Sequence, residues 1–600
     1  MVRSLLTLRS LQEVCQYLGY EYGEVAALYD RTLLVLRPAR PRPTDITFVS
    51  HLPQLSLQGS ASATASESDA LLLEGFMDGL GGCDLPAVLF ERIRQPRKRW
   101  NEKGELIALA WNSLGFESQV GQVLQSQKRT DAAIQLLAGK GLVHTSCTND
   151  GTRYYIPTSG RTHTAEEDDP AVARDEHSIL EALEIICHCI PVERDQEPQS
   201  VSIRRPSNIA LMRYRYAQTV KLLIPVVEHF IPRIKSLVMP SRLTDELVET
   251  LLAASAVDTI ESAWHLLRTA TVLLSGASPF YHIAEIAHRR SALLRLSGDI
   301  SSSEISIVDF WRTNLAQPDC ARTNAAYGWL HISHLENLVQ SQDVESARDQ
   351  MFKWSMPERA TEKELRITPA RSILIAKVFR CQGQSDQALI TLQHCLPYAR
   401  QYYHQAICAI ADALIELDRS EEACTILEQE LRKLNARQSK ISRRLTVSMV
   451  DAKVRLGQHD VAIKMVESLV PFFDRIGNLD TIDQLLHVRA LVARALICRA
   501  QEDTAANVAA WKAVLHATEQ YNSFRPQGLT SGIANLFLSL LYVGQGDLEA
   551  ARRCFITARG ILEEDGTDRW IPKLREASAS ATRELTSLTG WRMQIAGHDT

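Results

Sequence analysis

The chain has 600 residues, 45% apolar and 23% charged, with a formal net charge of −5. That length exceeds one ordinary hydrophobic core, so the chain is either multi-domain or a solenoid. The charge argues against a polyanion binder acting along its whole length, and no uninterrupted run of about 18 apolar residues predicts a membrane span.

Residues 1–69 form an ill-defined first segment. Leu33-Leu34-Val35-Leu36 reads as a buried strand, the proline-rich run Arg37 to Pro43 breaks any regular element, and the Ser/Ala-rich stretch Ser56 to Ser68 reads as a mobile loop. The opening Met-Val-Arg-Ser-Leu-Leu lacks the apolar stretch and small-residue cleavage site of a secretory leader. Twelve cysteines without CxxC pairs fit reduced thiols, and so a cytoplasmic or nuclear protein.

Residues 70–160 read as a small domain. Thr130-Asp131 can cap a helix through Ile134, Leu136 and Leu137, which Gly139 and Gly141 end. Leu142 to Thr145 and Arg153 to Ile156 then flank the hairpin turn Thr148-Asn149-Asp150-Gly151. This helix, turn and two-stranded wing resembles the end of a winged-helix domain, a unit that serves DNA binding in some proteins and connection in others. Residues 161–207 are polar and proline-containing and read as a linker with one short helix near Ile179–Cys189.

From residue 208 onward the pattern is helical almost throughout. Ala347, Ala388, Ala423, Ala462, Ala506 and Ala551 each follow a short polar turn and open an apolar helical pattern, at spacings of about 35 to 45 residues. The last unit is clearest. Gly544 to Asp547 makes the turn, and Ala551, Phe555 and Ala558 line the second helix at i, i+4 and i+7. Small residues let two helices approach, and the large one fills the groove between them. Ala388/Leu392/Cys395 and Ala506/Ala510/Ala513 keep that order. Ala423/Leu427 and Ala462/Val466 keep its first two places, and Ala347/Met351/Trp354 is a weaker match. A further degenerate pair spans Ile283–Thr313 around Ser297-Gly298-Asp299.

These units resemble the tetratricopeptide repeat over roughly residues 280–565, with longer spacing than the 34 residues usual in that family. The resemblance implies a mainly α fold: a TPR-like α-solenoid of helical hairpins over 208–600, behind a small N-terminal α+β region with the winged-helix-like unit. It also implies protein partners held in the solenoid groove. A winged-helix-like unit before such repeats further resembles the C-terminal half of STAND-class signalling NTPases. No GxxxxGK[ST] is present, and Arg37 stands where a magnesium-binding Asp would follow the strand, so the nucleotide chemistry of that class is not expected.

Sequence motifs give no catalytic, cofactor or metal site. Cys187-His188-Cys189 lacks a second ligand pair, and the His282/Glu285/His288 spacing is not the HExxH arrangement. The strongest basic run is Arg92, Arg94, Arg97, Lys98 and Arg99, ending at Trp100. It is a candidate patch for phosphates with a stacking tryptophan, or for an acidic partner such as the Glu166–Asp169 stretch of this chain. The expected function is a non-enzymatic protein–protein interaction scaffold or adaptor, as a subunit or regulator of a larger assembly. A regulator that binds DNA through the winged-helix-like region and an accessory protein of a specialised biosynthetic pathway are the alternatives.

Overall fold

The computed structural model describes residues 60–593, apart from segments at 81–83, 110–118, 149–150, 156–169, 192–205, 235–238, 257–259, 276–277, 315–319, 342, 400–401, 435–438, 476–478, 480, 522–523, 525–527 and 566–570. The expected strand Leu33–Leu36 lies outside the described residues, as does the acidic stretch Glu166–Asp169.

The N-terminal region is α+β. It comprises α1 (Ser60–Gly79), β1 (Leu85–Pro86), α2 (Ala87–Arg92), β2 (Arg97–Trp100), β3 (Leu106–Leu109), α3 (Gln119–Gln125), α4 (Gln127–Gly139), β4 (His144–Thr148) and β5 (Gly151–Tyr155). Two sheets form, one in the order β1-β5-β4 and one of β2 and β3, all antiparallel. The Ser/Ala-rich stretch is helical from Ser60, not a loop. Ala70, Leu73 and Met77 on α1 bury against α4 and α5 (Pro170–Cys189), and that packing outweighs the weak local preference of serine-rich sequence. The expected two-stranded hairpin forms from β4 and β5, with Cys147 opposite Thr152; Asn149 and Asp150 of the expected turn lie outside the described residues. Its preceding helix starts earlier than expected. Ser126, not Thr130-Asp131, caps α4, and the Thr130 hydroxyl donates back to Val123 and Ser126 carbonyls at 3.0 Å.

The presumed linker helix is an internal part of the fold. Ile179, Leu183 and Ile186 of α5 share one apolar core with Leu73 and Leu89 before them. The same core continues into α6 (Pro206–Ile234), α7 (Ser241–Ser255), α8 (Ile260–Leu273) and Leu293 of α9 (Phe280–Leu296).

From α9 onward the chain is a series of antiparallel helical hairpins. The pairs are α9 with α10 (Ile300–Thr313), α11 (Ala321–Gln340) with α12 (Val344–Gln350), and, after the one-turn α13 (Glu362–Leu365), α14 (Thr368–Cys381) with α15 (Ser385–Cys395). Then follow α16 (Tyr403–Glu416) with α17 (Ser420–Lys433), α18 (Lys440–Arg455) with α19 (His459–Arg475), α20 (Thr481–Ala500) with α21 (Thr504–Gln520), and α22 (Leu529–Gly544) with α23 (Leu548–Asp565). α24 (Leu574–Thr589) closes the series on α22. This is a mainly α, TPR-like solenoid with a small α+β region at its N-terminal end.

One local device makes every hairpin. The first helix ends in a left-handed residue at Gly298, Gly383, Asp418, Gly457, Glu502 and Gly546, with φ between 58° and 85°. The N–H of the next residue then donates five residues back: Asp299 to Leu294, Asp343 to Leu338, Gln384 to Phe379, Arg419 to Leu414, Gln458 to Lys453, Asp503 to Cys498 and Asp547 to Tyr542, at 2.8–3.1 Å. This is the Schellman closure, which satisfies carbonyls that a helix end otherwise strands. Four of the residues after the turn are aspartates whose carboxylates accept from the first turn of the second helix, at 2.9–3.0 Å. Each such cap contributes about 1 kcal/mol.

Four residues beyond that cap position stands a buried small residue in six units: Ser303, Ala347, Ala388, Ala423, Ala462 and Ala551. Leu392, Leu427, Val466, Phe555 and Ala558 are buried in the places expected of them. The sixth unit corrects the sequence register. Asn507, buried, takes the small position, followed by Trp511 and Val514, whereas Ala506 is only half-buried. Ala510 is buried beside the Trp511 ring, which stacks on Phe537 at 4.5 Å. The weak match at Met351/Trp354 also has a cause. Gly328 on α11 leaves the room that Trp354 fills, since a Cβ there would lie 2.7 Å from the indole.

Candidate partner-binding groove

The first helices of successive hairpins, α9, α11, α14, α16, α18 and α20, pack against one another in sequence. Their shared face is the inner side of the coil. The coil turns tightly enough for the first unit to meet the sixth, where the Thr481 hydroxyl donates to the carbonyls of Arg295 (3.1 Å) and Leu296 (2.6 Å) at the end of α9.

Equivalent positions on these helices line the groove. Seven residues before the cap position stand Ala292, Glu336, Lys377, Asp412, Asp451 and Leu496. Fourteen before it stand Glu285, Trp329, Ala370, Gln405, Arg444 and Arg489. The groove is therefore charged in its middle units. Arg295 reaches Glu336 at 3.1 Å and the Asn337 side chain at 2.9 Å. Arg380 reaches Asp412 at 3.4 Å. Arg489 holds Asp412 and Asp451 together, at 2.5 Å each. Two buried carboxylates thus share one guanidinium. Burial opposes ionisation of Asp412, but Arg489 and Arg380 hold its carboxyl below the usual range. Burial raises the Asp451 carboxyl to about 6, with Arg489 opposing the rise and Asp412 adding to it.

α24 crosses the ends of three groove helices. The Lys573 N–H donates to Glu416 at 3.0 Å and its ammonium sits 3.0 Å from Asp418. Arg455 donates to the Lys573 carbonyl at 2.8 Å, and Arg499 pairs with Glu584 at 2.7 Å. Between α24 and the ends of α18 and α20 lies a cleft of about 590 Å³, with Arg455, Arg499, Glu576 and Arg583 on its walls.

The basic run that the sequence singles out is spent within the molecule. Arg92 donates to the Cys189 carbonyl at 3.3 Å and to Gln95 at 2.5 Å, and Arg94 to the Leu124 carbonyl at 3.3 Å. Arg97 is buried and donates to Glu246, with Thr250 at 3.3 Å. Arg99 donates to the same Glu246 and lies 3.5 Å from Glu249. Lys98 is half-buried between them on β2. Trp100 is buried, with the Arg366 guanidinium 4.7 Å and the Lys363 ammonium 5.5 Å from its ring centre. Its carbonyl accepts from Arg322 at 2.9 Å, and Arg322 also pairs with Glu249 at 2.5 Å. The acidic partners of this run are thus Glu246 and Glu249 on α7. Composition could not pick them, because they lie about 150 residues away.

The remaining candidate ligands are also internal. Burial lifts the Cys187 and Cys189 thiols to about 12, and His188 faces the Gln95 carbonyl at 3.0 Å. His282 lies 3.5 Å from both Asp245 and Glu249. Glu285, despite burial, is held at about 2 by Lys363 at 2.6 Å and by Arg322. His288 meets Ser333 at 2.7 Å, and burial pushes it to about 3. Among the described residues no cluster of three metal-ligating side chains forms, and no helix is long and apolar enough to cross a membrane.

No family model and no curated protein matches this chain. Among solved structures, a tetratricopeptide repeat protein from Parabacteroides merdae is 15% identical, covering 49% of this chain and 98% of its own, with a TM-score of 0.31. The apo form of RapI is 8% identical over 59% of this chain and 96% of its own, TM-score 0.39. A Rap protein complexed with competence and sporulation factor is 9% identical over 62% and 99%, TM-score 0.38. Each is a likeness at low identity, and it is the seven hairpins among the described residues from α9 onward, with their common turn and small-residue seam, that make this a TPR-like helical-repeat fold.

Proposed function

We propose that this chain is a non-enzymatic interaction scaffold that holds a segment of a partner protein against the inner faces of α11, α14, α16 and α18. One observation carries the reading. The repeats place half-buried side chains of mixed chemistry on a single continuous face, Trp329, Gln405 and Arg444 fourteen residues before their cap positions and Lys377 seven before its own. Such a face recognises an extended chain residue by residue, as repeat solenoids do. A photo-crosslinking residue placed at 405 tests it against one placed at Ile390, which is exposed on the second helix of its hairpin. Partner adducts in the native cell should form from 405 and not from 390; equal labelling from both would remove the reading.

The winged-helix-like unit is best taken as a connector. Its neighbouring hairpin, β2–β3, is bonded into the first repeats through Arg322 to Glu102 and Lys363 to Gly104, backbone to backbone at 3.1 and 3.3 Å. A subunit or regulator of a larger assembly fits a groove that is built before any partner arrives.

A further inference from the structure

The cleft between α24 and the ends of α18 and α20 gathers three guanidiniums, those of Arg455, Arg499 and Arg583. Its volume of about 590 Å³ falls in the range of small-molecule sites. Glu576, Ser580 and Arg583 stand at i, i+4 and i+7 of α24, so one face of that helix makes one wall. Arg455, the last residue of α18, and Arg499, in the last turn of α20, stand on the other side. Leu496 and Ala577 add apolar surface. The charges of this cleft are unequally spent. Arg583 and Ser580 are exposed, and among the described residues neither side chain makes a hydrogen bond or ion pair. Arg455 gives one N–H to the Lys573 carbonyl at 2.8 Å, and Arg499 gives one to Glu584 at 2.7 Å. Glu576 is the single acid on the walls, and the Lys573 ammonium answers it at 2.6 Å. Three cations around one cavity, with its one carboxylate already paired, draw in an anion.

We propose that this cleft binds a phosphate-bearing small molecule, with the phosphoryl group held by Arg455, Arg499 and Arg583. Each guanidinium is a planar fork suited to two phosphoryl oxygens, and the Ser580 hydroxyl adds a further donor. Leu496 and Ala577 take an apolar part of the ligand. A doubly charged group gains more from three cations than a single carboxylate does. A ligand held in this way ties α24 to two of the groove helices. The site lies at the helix ends, apart from the inner-face positions given to a partner, so its failure would leave that reading untouched.

Calorimetric titration of the full chain at constant ionic strength, with inorganic phosphate, pyrophosphate and succinate in turn, tests it without any partner. Saturable binding of phosphate or pyrophosphate is expected, with succinate weaker. Arg583→Met breaks no contact within the chain, so it should fold as the wild type does, and it should weaken binding about tenfold or more, the loss of one charge-assisted contact. Arg552→Met removes the same charge from an exposed position on α23, outside the cleft, and should leave binding unchanged. Absence of saturable binding of either phosphate probe, or succinate binding as tightly, overturns the proposal. So does equal binding by the wild type and Arg583→Met, or equal weakening by Arg583→Met and Arg552→Met, which would report only the overall charge.

Discussion

Arg489 on α20 and Asp412 on α16 are bonded at 2.5 Å across an intervening repeat unit, with both side chains buried. The guanidinium also takes Asp451 from that intervening unit, so three successive hairpins are tied at one point. Arg489→Ala should destabilise the chain by about 3–5 kcal/mol, because it leaves the buried Asp451 without its close counter-ion and Asp412 with Arg380 alone. Denaturant unfolding followed by circular dichroism measures it. A loss below 1 kcal/mol would show that water reaches the site.

The shared guanidinium has a pH signature. The folded-state value of Asp451, about 6, lies above the ~3.9 of an unfolded aspartate, so the folded chain binds the proton more tightly. Its ionisation therefore lowers stability as pH rises from about 4 to 6, and the loss persists above that. Asp451→Asn, which stands in for the protonated form, should be more stabilising relative to wild type at pH 8 than at pH 5. Melting curves at the two values decide it, and an equal shift at both would refute the assignment.

Asn507 fills a position where six other units carry alanine or serine, and its amide oxygen is buried without a hydrogen-bond partner. Asn507→Ala should stabilise by about 1 kcal/mol, by removing an unsatisfied polar atom while leaving a volume the seam accepts. The neighbouring Ala506→Asn, half-buried, should change stability by less than about 0.5 kcal/mol. Equilibrium unfolding of both variants tests the one-residue register.

Two backbone positions give opposite signs. Gly328→Ala would set a Cβ 2.7–3.0 Å from Trp354 and Ile367, and overpacking of that kind costs about 1–3 kcal/mol. Glu502 is left-handed at φ 58° with an exposed side chain, so Glu502→Gly should gain about 1 kcal/mol. Asp418 has the same backbone but pairs with Lys573, so its glycine variant should gain less. A shift in melting temperature with the wrong sign for either Gly328→Ala or Glu502→Gly would contradict the packing described.

The β2–β3 hairpin should act as a clasp. Glu246→Ala strands the buried Arg97 and should cost about 3–5 kcal/mol. It should also speed limited proteolysis between residues 80 and 120, while helix content in 280–593 is kept. If proteolysis stays slow, the hairpin is held by Arg322 and Trp100 without the ion cluster.

The repeats were legible because helix pairing needs a small residue at fixed distance from a tight turn, and Ala551, Ala462, Ala423 and Ala388 record that need directly. The sixth register was missed because Ala506 satisfies the composition while Asn507, a poor guess for a buried seam, satisfies the geometry set by Glu502. The β4–β5 hairpin is readable from its strand pattern and turn residues, and the helicity of Ser60 onward is not, since it rests on burial against α5, more than a hundred residues on. By itself the sequence determined that this is a chain of helical hairpins without motif chemistry, because local turns and i, i+4, i+7 patterns are set within one unit. Only the tertiary structure decided which charges meet. Arg97 finds Glu246 and Arg489 finds Asp412, because those pairings depend on how elements far apart in sequence pack and how far each unit rotates on the last, quantities that side-chain packing fixes and no local spacing encodes.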